Sequence, residues 1–361
     1  MENFPASCKK LQVMRATTNC FKRTARIIAL STIPFVIIAQ PSSLKKDYRP
    51  GILSIAYFIE SANNSINSLN SLLKKDNYRN KITTLNNPAN NELGFNLKSE
   101  ILAALKPLLE KAKKTDNTKF REVIEGLLSN PEETGLNSVK KFLPAASIFS
   151  TILSLVGNLV VTEKRITKED LNQFMVRVQQ YFSQYEKLND INERFSLQIE
   201  KVLQKSEEMK DDLKEFLVDC IYTMNRKITK ESLKEKTMEV LIQKYYDPQK
   251  IQIWLDTAGL PVEGTVYPSD AATSAKFLTS GIKKLQKEFE AIYNDNYREL
   301  SELIVSLKNT IPNLDQKQLD KTRTEIDRLY NDSRQADVIN LNISQVDERM
   351  NTVCQIINTG K

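Results

Sequence analysis

Apolar side chains recur at alternating spacings of three and four residues along most of this chain, the pattern of helices that each bury one stripe. The first stripe is Ile52, Ile55, Ile59, Ala62, Ile66, Leu69 and Leu73, opened by Pro50. It ends in LNNPANN, Leu85 to Asn91, where Asn side chains compete for backbone hydrogen bonds and break the period. Shorter amphipathic segments follow at Leu97 to Lys114, with a kink expected at Pro107, and at Thr118 to Leu128. Asn130 and Pro131 punctuate again.

A longer stripe starts at Thr167, where T-K-E-D fits an N-cap with an acidic first turn. It runs through Leu171, Phe174, Val178, Tyr181, Tyr185, Leu188, Asn192, Phe195, Ile199, Val202, Ser206, Met209, Leu213, Phe216 and Cys220, uninterrupted by Gly or Pro. A helix from Thr167 to Arg226 would be about 90 Å long at 1.5 Å per residue. Ile191, Leu203 and Leu217 widen the stripe beyond a two-stranded seam, and Asn192 and Ser206 are polar core positions able to fix register. ITKESL from Ile228 repeats the ITKEDL start at Ile166, which predicts a shorter helix from Thr229 to Tyr246.

Asp247 and Pro248, Trp254, and a loop with Gly259, Pro261, Gly264 and Pro268 make a candidate head, with Trp254 read as a core residue. A third stripe (Ala275, Leu278, Ile282, Leu285, Phe289, Ile292) shifts by a stutter to Leu300, Leu303 and Leu307, where local unwinding is expected. After Pro312 a last helix carries Leu319, Thr322, Ile326, Leu329, Ser333, Ala336, Ile343, Val346, Met350, Val353 and Ile357. The expected fold is all-α, an elongated antiparallel bundle of long, coiled-coil-like helices with one uncharged hydrophobic segment.

Charge adds location. The chain has 52 Lys plus Arg against 45 Asp plus Glu, but residues 1–49 hold nine basic and two acidic side chains and so carry the whole net charge of +7. The balanced remainder has no basic excess for phosphate backbones, so nucleic acid is not an expected partner. Arg15, Lys22, Arg23 and Arg26 precede the uncharged run Ile27 to Ala39, whose length fits a signal-peptide core better than a membrane span. The division that follows is a signal at 1–39, N-terminal helices at 40–141 and a hydrophobic segment at 142–161. Beyond it come the long helix with its shorter follower at 162–246, a head at 247–270 and a C-terminal helical hairpin at 271–361. Met14 makes a more ordinary start, so residues 1–13 read as an upstream extension; an uncleaved signal anchor is the alternative. A secreted, periplasmic or envelope location is expected. Cys8 and Cys20 would leave with the signal; Cys220 and Cys354 could pair in an exported chain, but read more readily as small buried hydrophobes.

Phe142 to Val161, FLPAASIFSTILSLVGNLVV, holds no charge over a length that as helix matches a bilayer core of about 30 Å. Its candidate membrane-contacting residues are Phe142, Ile148, Phe149, Ile152, Leu153, Leu155, Val156, Leu159 and Val160. Ser147, Ser150, Ser154 and Asn158 form a stripe suited to close helix packing, in lipid or in protein. Three readings stand open: a sheathed core helix, a constitutive transmembrane helix, and a conditional segment covered until it meets lipid. The last joins export, a soluble body, long helices and breakers at Pro144 and Gly157 in one account.

That layout, a signal, a series of long helices and an uncharged insert Phe142 to Val161, resembles the long-helix pore-forming toxins of the cytolysin A, haemolysin BL and xenorhabdolysin type. The resemblance implies a secreted protomer that hides its apolar segment, inserts it into a target membrane and self-associates or joins a partner subunit. A non-lytic envelope scaffold binding other proteins is the alternative. The departures from the family are the early position of the insert and the lack of a second membrane strand.

Enzymatic chemistry has little to work with. The chain has no His, which excludes Ser-His-Asp and Cys-His nucleophiles and His-ligated zinc. Nine glycines form neither G-x-G-x-x-G nor G-x-x-x-x-G-K-[ST]. No calcium loop or Cys cluster occurs, and Glu207, Glu208, Asp211 and Asp212 read as solvated charge. The expectation is a non-enzyme without cofactor or metal.

Overall fold

Stripes that no helix can bury alone require helix-on-helix packing. The computed structural model of the chain describes residues 49–111, 122, 145–162, 166–257, 270–334 and 337–359. Of these residues 88% are helical and none lies in a strand, so the all-α expectation holds. The export segment 1–39 with Cys8 and Cys20, nearly all of Thr118 to Leu128, and the loop with Gly259, Pro261, Gly264 and Pro268 lie outside the described residues.

Among the described residues three helices come first: α1 (Arg49–Lys74), α2 (Asn77–Leu85) and α3 (Leu97–Lys111), the last with Pro107 inside it. Then α4 (Ala145–Thr162) precedes α5 (Lys168–Met224), whose 57 residues extend about 86 Å at 1.5 Å per residue. Short α6 (Lys230–Lys234) and α7 (Met238–Leu241) lead through a π-helical turn, Ile242–Tyr246, into α8 (Pro248–Thr257). The chain continues as α9 (Ala271–Thr310), α10 (Gln316–Arg334) and α11 (Asp337–Thr359).

All seven apolar positions of the α1 stripe are buried, as are the α5 positions from Phe174 to Cys220 except half-buried Asn192 and Met209. Burial of each such Leu, Ile, Val or Phe is worth about 1.5–3 kcal/mol, far more than the exposed ion pairs that line the same helices. Ion pairs and polar contacts do record direction. Along α5, Gln184, Arg194 and Lys205 meet Thr310, Glu299 and Glu288 of α9 in reverse order, so these two helices run antiparallel. Likewise Phe58 and Asn70 of α1 meet Phe216 and Glu207 of α5, and Tyr57 and Ser68 meet Arg349 and Asn342 of α11.

Two expectations about continuity change. The helix expected from Thr229 to Tyr246 is two short α-helices and a π-helical turn; the first break comes because Thr237 starts a new helix by accepting from the Val240 N–H at 3.4 Å. Along α9 the stutter falls between Leu285 and Tyr293: Tyr293 is fully buried in place of half-buried Ile292, and Asn296 follows it inward. The helix nevertheless stays α-helical from Ala271 to Thr310. A Cβ on Gly281 would lie 2.1 Å from Met209 Cε, so this glycine lets the Met209 side chain lie directly on the α9 backbone.

Tyr293 and Asn296 belong to a buried polar node that apolar periodicity does not reveal. Asp76, 5% exposed, caps α2 by accepting from the backbone N–H groups of Tyr78 at 3.0 Å and Arg79 at 3.2 Å. Its carboxylate also accepts from the hydroxyl of Ser333 on α10 at 2.7 Å and from the hydroxyl of Tyr293 on α9. Beside it, Tyr78 donates to Asn296 Oδ1 at 2.9 Å and packs its ring, edge-on or tilted, among Phe195, Tyr293 and Tyr330. Thus α2, α9 and α10 meet on one set of satisfied polar groups, with Phe195 of α5 packed against it.

The Asn-rich stretch is a built connection. Asn87 and Asn90 accept from the N–H groups two residues on, at 2.9 and 2.7 Å, and Asn96 accepts from the Ser99 N–H as α3 begins. Gly94, at φ +81°, offers its carbonyl to the Asp315 N–H at 2.8 Å, and a Cβ there would sit 2.8 Å from Asp315 O. The Lys81 ammonium, largely buried, lies 2.7 Å from both Glu92 and Glu325. The stretch therefore ties α2 to the turn between α9 and α10.

Candidate functional site

The uncharged insert is helical where it is described, as α4 over Ala145–Thr162. It packs on α5. Five residues separate the two helices in sequence, too few to carry α4 to the far end of α5. The start of α5 is firmly made: Thr167 Oγ1 accepts from the Asp170 N–H at 3.2 Å, and Asp170 accepts from the Thr167 N–H at 2.9 Å, a complete capping box. Lys111, at the end of α3, reaches the same carboxylate at 2.5 Å. The Lys111 hydrogen bond and the two Thr167 donors hold the Asp170 carboxyl down to about 2, so the cap keeps its charge through ordinary acidity. Nearby, Phe95 packs on Tyr181 and Tyr185, and burial first, then Glu100, pushes the Tyr181 hydroxyl up to about 12.

Of the nine candidate membrane-contacting residues, Phe142 lies outside the described residues. Ile148, Phe149, Leu159 and Val160 are on α4, with side chains outside the described set. The other four form one arc of the helix: Ile152 and Val156 are completely buried, and Leu153 and Leu155 are half-buried against the core. On the opposite arc Ser150, Thr151, Ser154 and Asn158 are exposed. The hydroxyl stripe therefore faces outward where it is described, and the apolar arc makes the contact with α5. The physical reason is the order of transfer costs: apolar carbon gains most by burial, whereas hydroxyls and amides lose little in water. A Cβ built on Gly157 meets no atom within 4 Å among the described residues.

This geometry makes α4 an amphipathic helix without charges, docked by one face on the neighbouring helix. Among the described residues no helix is long and apolar enough to cross a membrane, and no group of three or more acidic or Cys side chains is placed to hold a metal ion. Cys220 is buried and Cys354 half-buried, both as free thiols. Trp254, read as core, is half-buried and lines a cleft where α5 ends. Sequence reasoning found the apolar arc through its lack of charge. It missed the clasp of Lys111 on Asp170, whose signal was the acidic third position of the cap itself. No protein-family model matches the chain, and none of the curated proteins or solved structures compared with it matches.

Proposed function

We propose that this is an exported, non-enzymatic membrane-interacting protein, a pore-forming toxin or toxin component, in which α4 is the lipid-contacting element. In this reading the long helices form an elongated antiparallel bundle that carries α4 in a covered state. The observation that carries the reading is the burial of Ile152 and Val156 on α5 while Ser150, Ser154 and Asn158 face outward. Such a helix has an interfacial pattern: its apolar arc can exchange one apolar surface for another, and its hydroxyl arc can stay hydrated. At 18 residues α4 measures about 27 Å, close to but short of a bilayer core, which favours conditional insertion over a permanent span. Departure of α4 would uncover the apolar face of α5, so self-association or a partner subunit is part of the proposal. Lipid is the target, and the covered form belongs outside the cell or in the envelope.

Dye release from liposomes tests it, using protein lacking residues 1–39. The intact segment is expected to cause leakage, and Leu153→Asp to abolish it while the helical circular-dichroism signal is retained. Folded protein that releases no dye from either anionic or zwitterionic vesicles would overturn the reading in favour of a scaffold.

A further inference from the structure

At the C-terminal end of α5, away from α4, lies a partly open cleft of about 380 Å³, within the range of small-ligand sites. Its base is apolar: Ile221 and Met224 from the last turn of α5, Ile251 and Trp254 from α8. Its polar lining is cationic. Lys244 and Lys250 both line it, and among the described residues neither has a carboxylate at ion-pair distance.

The local backbone accounts for this concentration of charge. The π-helical turn Ile242–Tyr246 inserts an extra residue into the helical repeat, and consecutive Lys244 and Tyr245 both line the cleft. The Lys244 ammonium lies 5.2 Å from the Tyr245 ring centroid, and Lys250 donates to the Gln243 carbonyl, so both cations are held in place. Asn225 accepts from the Lys227 N–H at 3.2 Å through Oδ1, which leaves its side-chain amide N–H groups as further donors. The negative end of the α5 dipole, equivalent to about half a charge, offsets only part of two ammonium groups. Asp247, whose carboxylate accepts from the Gln249 and Lys250 N–H groups at 3.0 and 3.1 Å, offsets a further part, and the site retains a small positive excess beside an apolar floor.

We infer that this cleft binds the phosphate headgroup of an anionic phospholipid, with the glycerol and first acyl carbons lying on Met224, Ile251 and Trp254. Lys244, Lys250 and the Asn225 amide supply donors to the phosphate, and the apolar floor distinguishes a lipid from free phosphate. The inference goes beyond the role proposed for α4 and does not depend on it: leakage reports on α4, and a direct binding signal reports on the cleft.

Trp254 is the chain's single tryptophan, so tryptophan emission of the full-length protein, excited at a wavelength where tyrosine does not absorb, reads this cleft alone. Titration with dihexanoyl phosphatidic acid below its micelle concentration is expected to give a saturable blue shift. Lys244→Gln combined with Lys250→Gln should weaken that binding about tenfold or more; both lysines are exposed, so the fold tolerates the change. Inorganic phosphate and dihexanoyl phosphatidylcholine should give no shift. The absence of a saturable shift, an equal response to either control, or unchanged affinity in the double variant would each overturn the inference.

Discussion

Raising the pH above about 10 is expected to unfold this protein cooperatively, with the tyrosinate absorbance of its buried tyrosines appearing together with the loss of helical circular dichroism. Free tyrosine titrates near pH 10. In the folded chain burial raises the hydroxyls of Tyr78, Tyr185 and Tyr293 well above the usual range; the charge of Asp76 adds to this for Tyr78 and Tyr293. These groups therefore ionise first in the unfolded chain. The folded state keeps its full advantage below about pH 10 and loses it as pH rises, by about 1.4 kcal/mol per unit for each buried tyrosine. Three together give roughly 4 kcal/mol per unit, against a total stability of about 5–15 kcal/mol. Lys81 acts in the same direction: desolvation alone would lower its pKa, but Glu325 and Glu92 together raise it, and deprotonation breaks the triad. Complete ionisation of all twelve tyrosines with the helical signal unchanged would show that these hydroxyls are not buried as described.

Replacing Asp76 by Ala is expected to destabilise the protein by about 3–5 kcal/mol, because it leaves Tyr293, Ser333 and two backbone N–H groups without their common acceptor. Asp76→Asn keeps one oxygen, and the Tyr293 hydroxyl can turn to accept from the new amide; a loss of about 1–2 kcal/mol is expected. Tyr293→Phe should fall between them. Urea denaturation monitored by circular dichroism measures all three. A loss below about 1 kcal/mol for Asp76→Ala would mean that α2, α9 and α10 are not joined through this residue.

The long helices were legible because their buried positions are apolar and their spacing is regular. Ile52 to Leu73 and Phe174 to Cys220 are evident from that spacing alone, and so is the cap at Thr167. The node around Asp76 was illegible for the converse reason. A pattern based on apolar residues passes over Asp76, Asn296 and Ser333, and it chose Ile292 where the larger Tyr293 takes the buried place. Asp76 followed by Asn77 and Tyr78 was a readable helix start, hidden by its closeness to the end of the α1 stripe. In the candidate site the apolar arc of α4 was visible in the sequence, but the helix receiving it was not, since every long stripe offers a similar surface. The outward turn of Ser150 and Ser154 depends on that docking. The cleft was less accessible still: it needs the π-turn, which no residue pattern marks, to put Lys244 and Tyr245 on one wall.

The pairing of α1 with α11 has a kinetic consequence. The Asn342 amide meets the Ser68 hydroxyl across 274 residues of sequence, whereas Lys111 meets Asp170 across 59. Closing the longer loop costs more chain entropy and returns nothing until the intervening helices have assembled. In refolding followed by pulsed hydrogen exchange, amides of α11 are expected to gain protection after those at the start of α5. The part of α1 that α11 covers would then wait for the last segment of the chain, and until it arrives that face stays open as a route to aggregation.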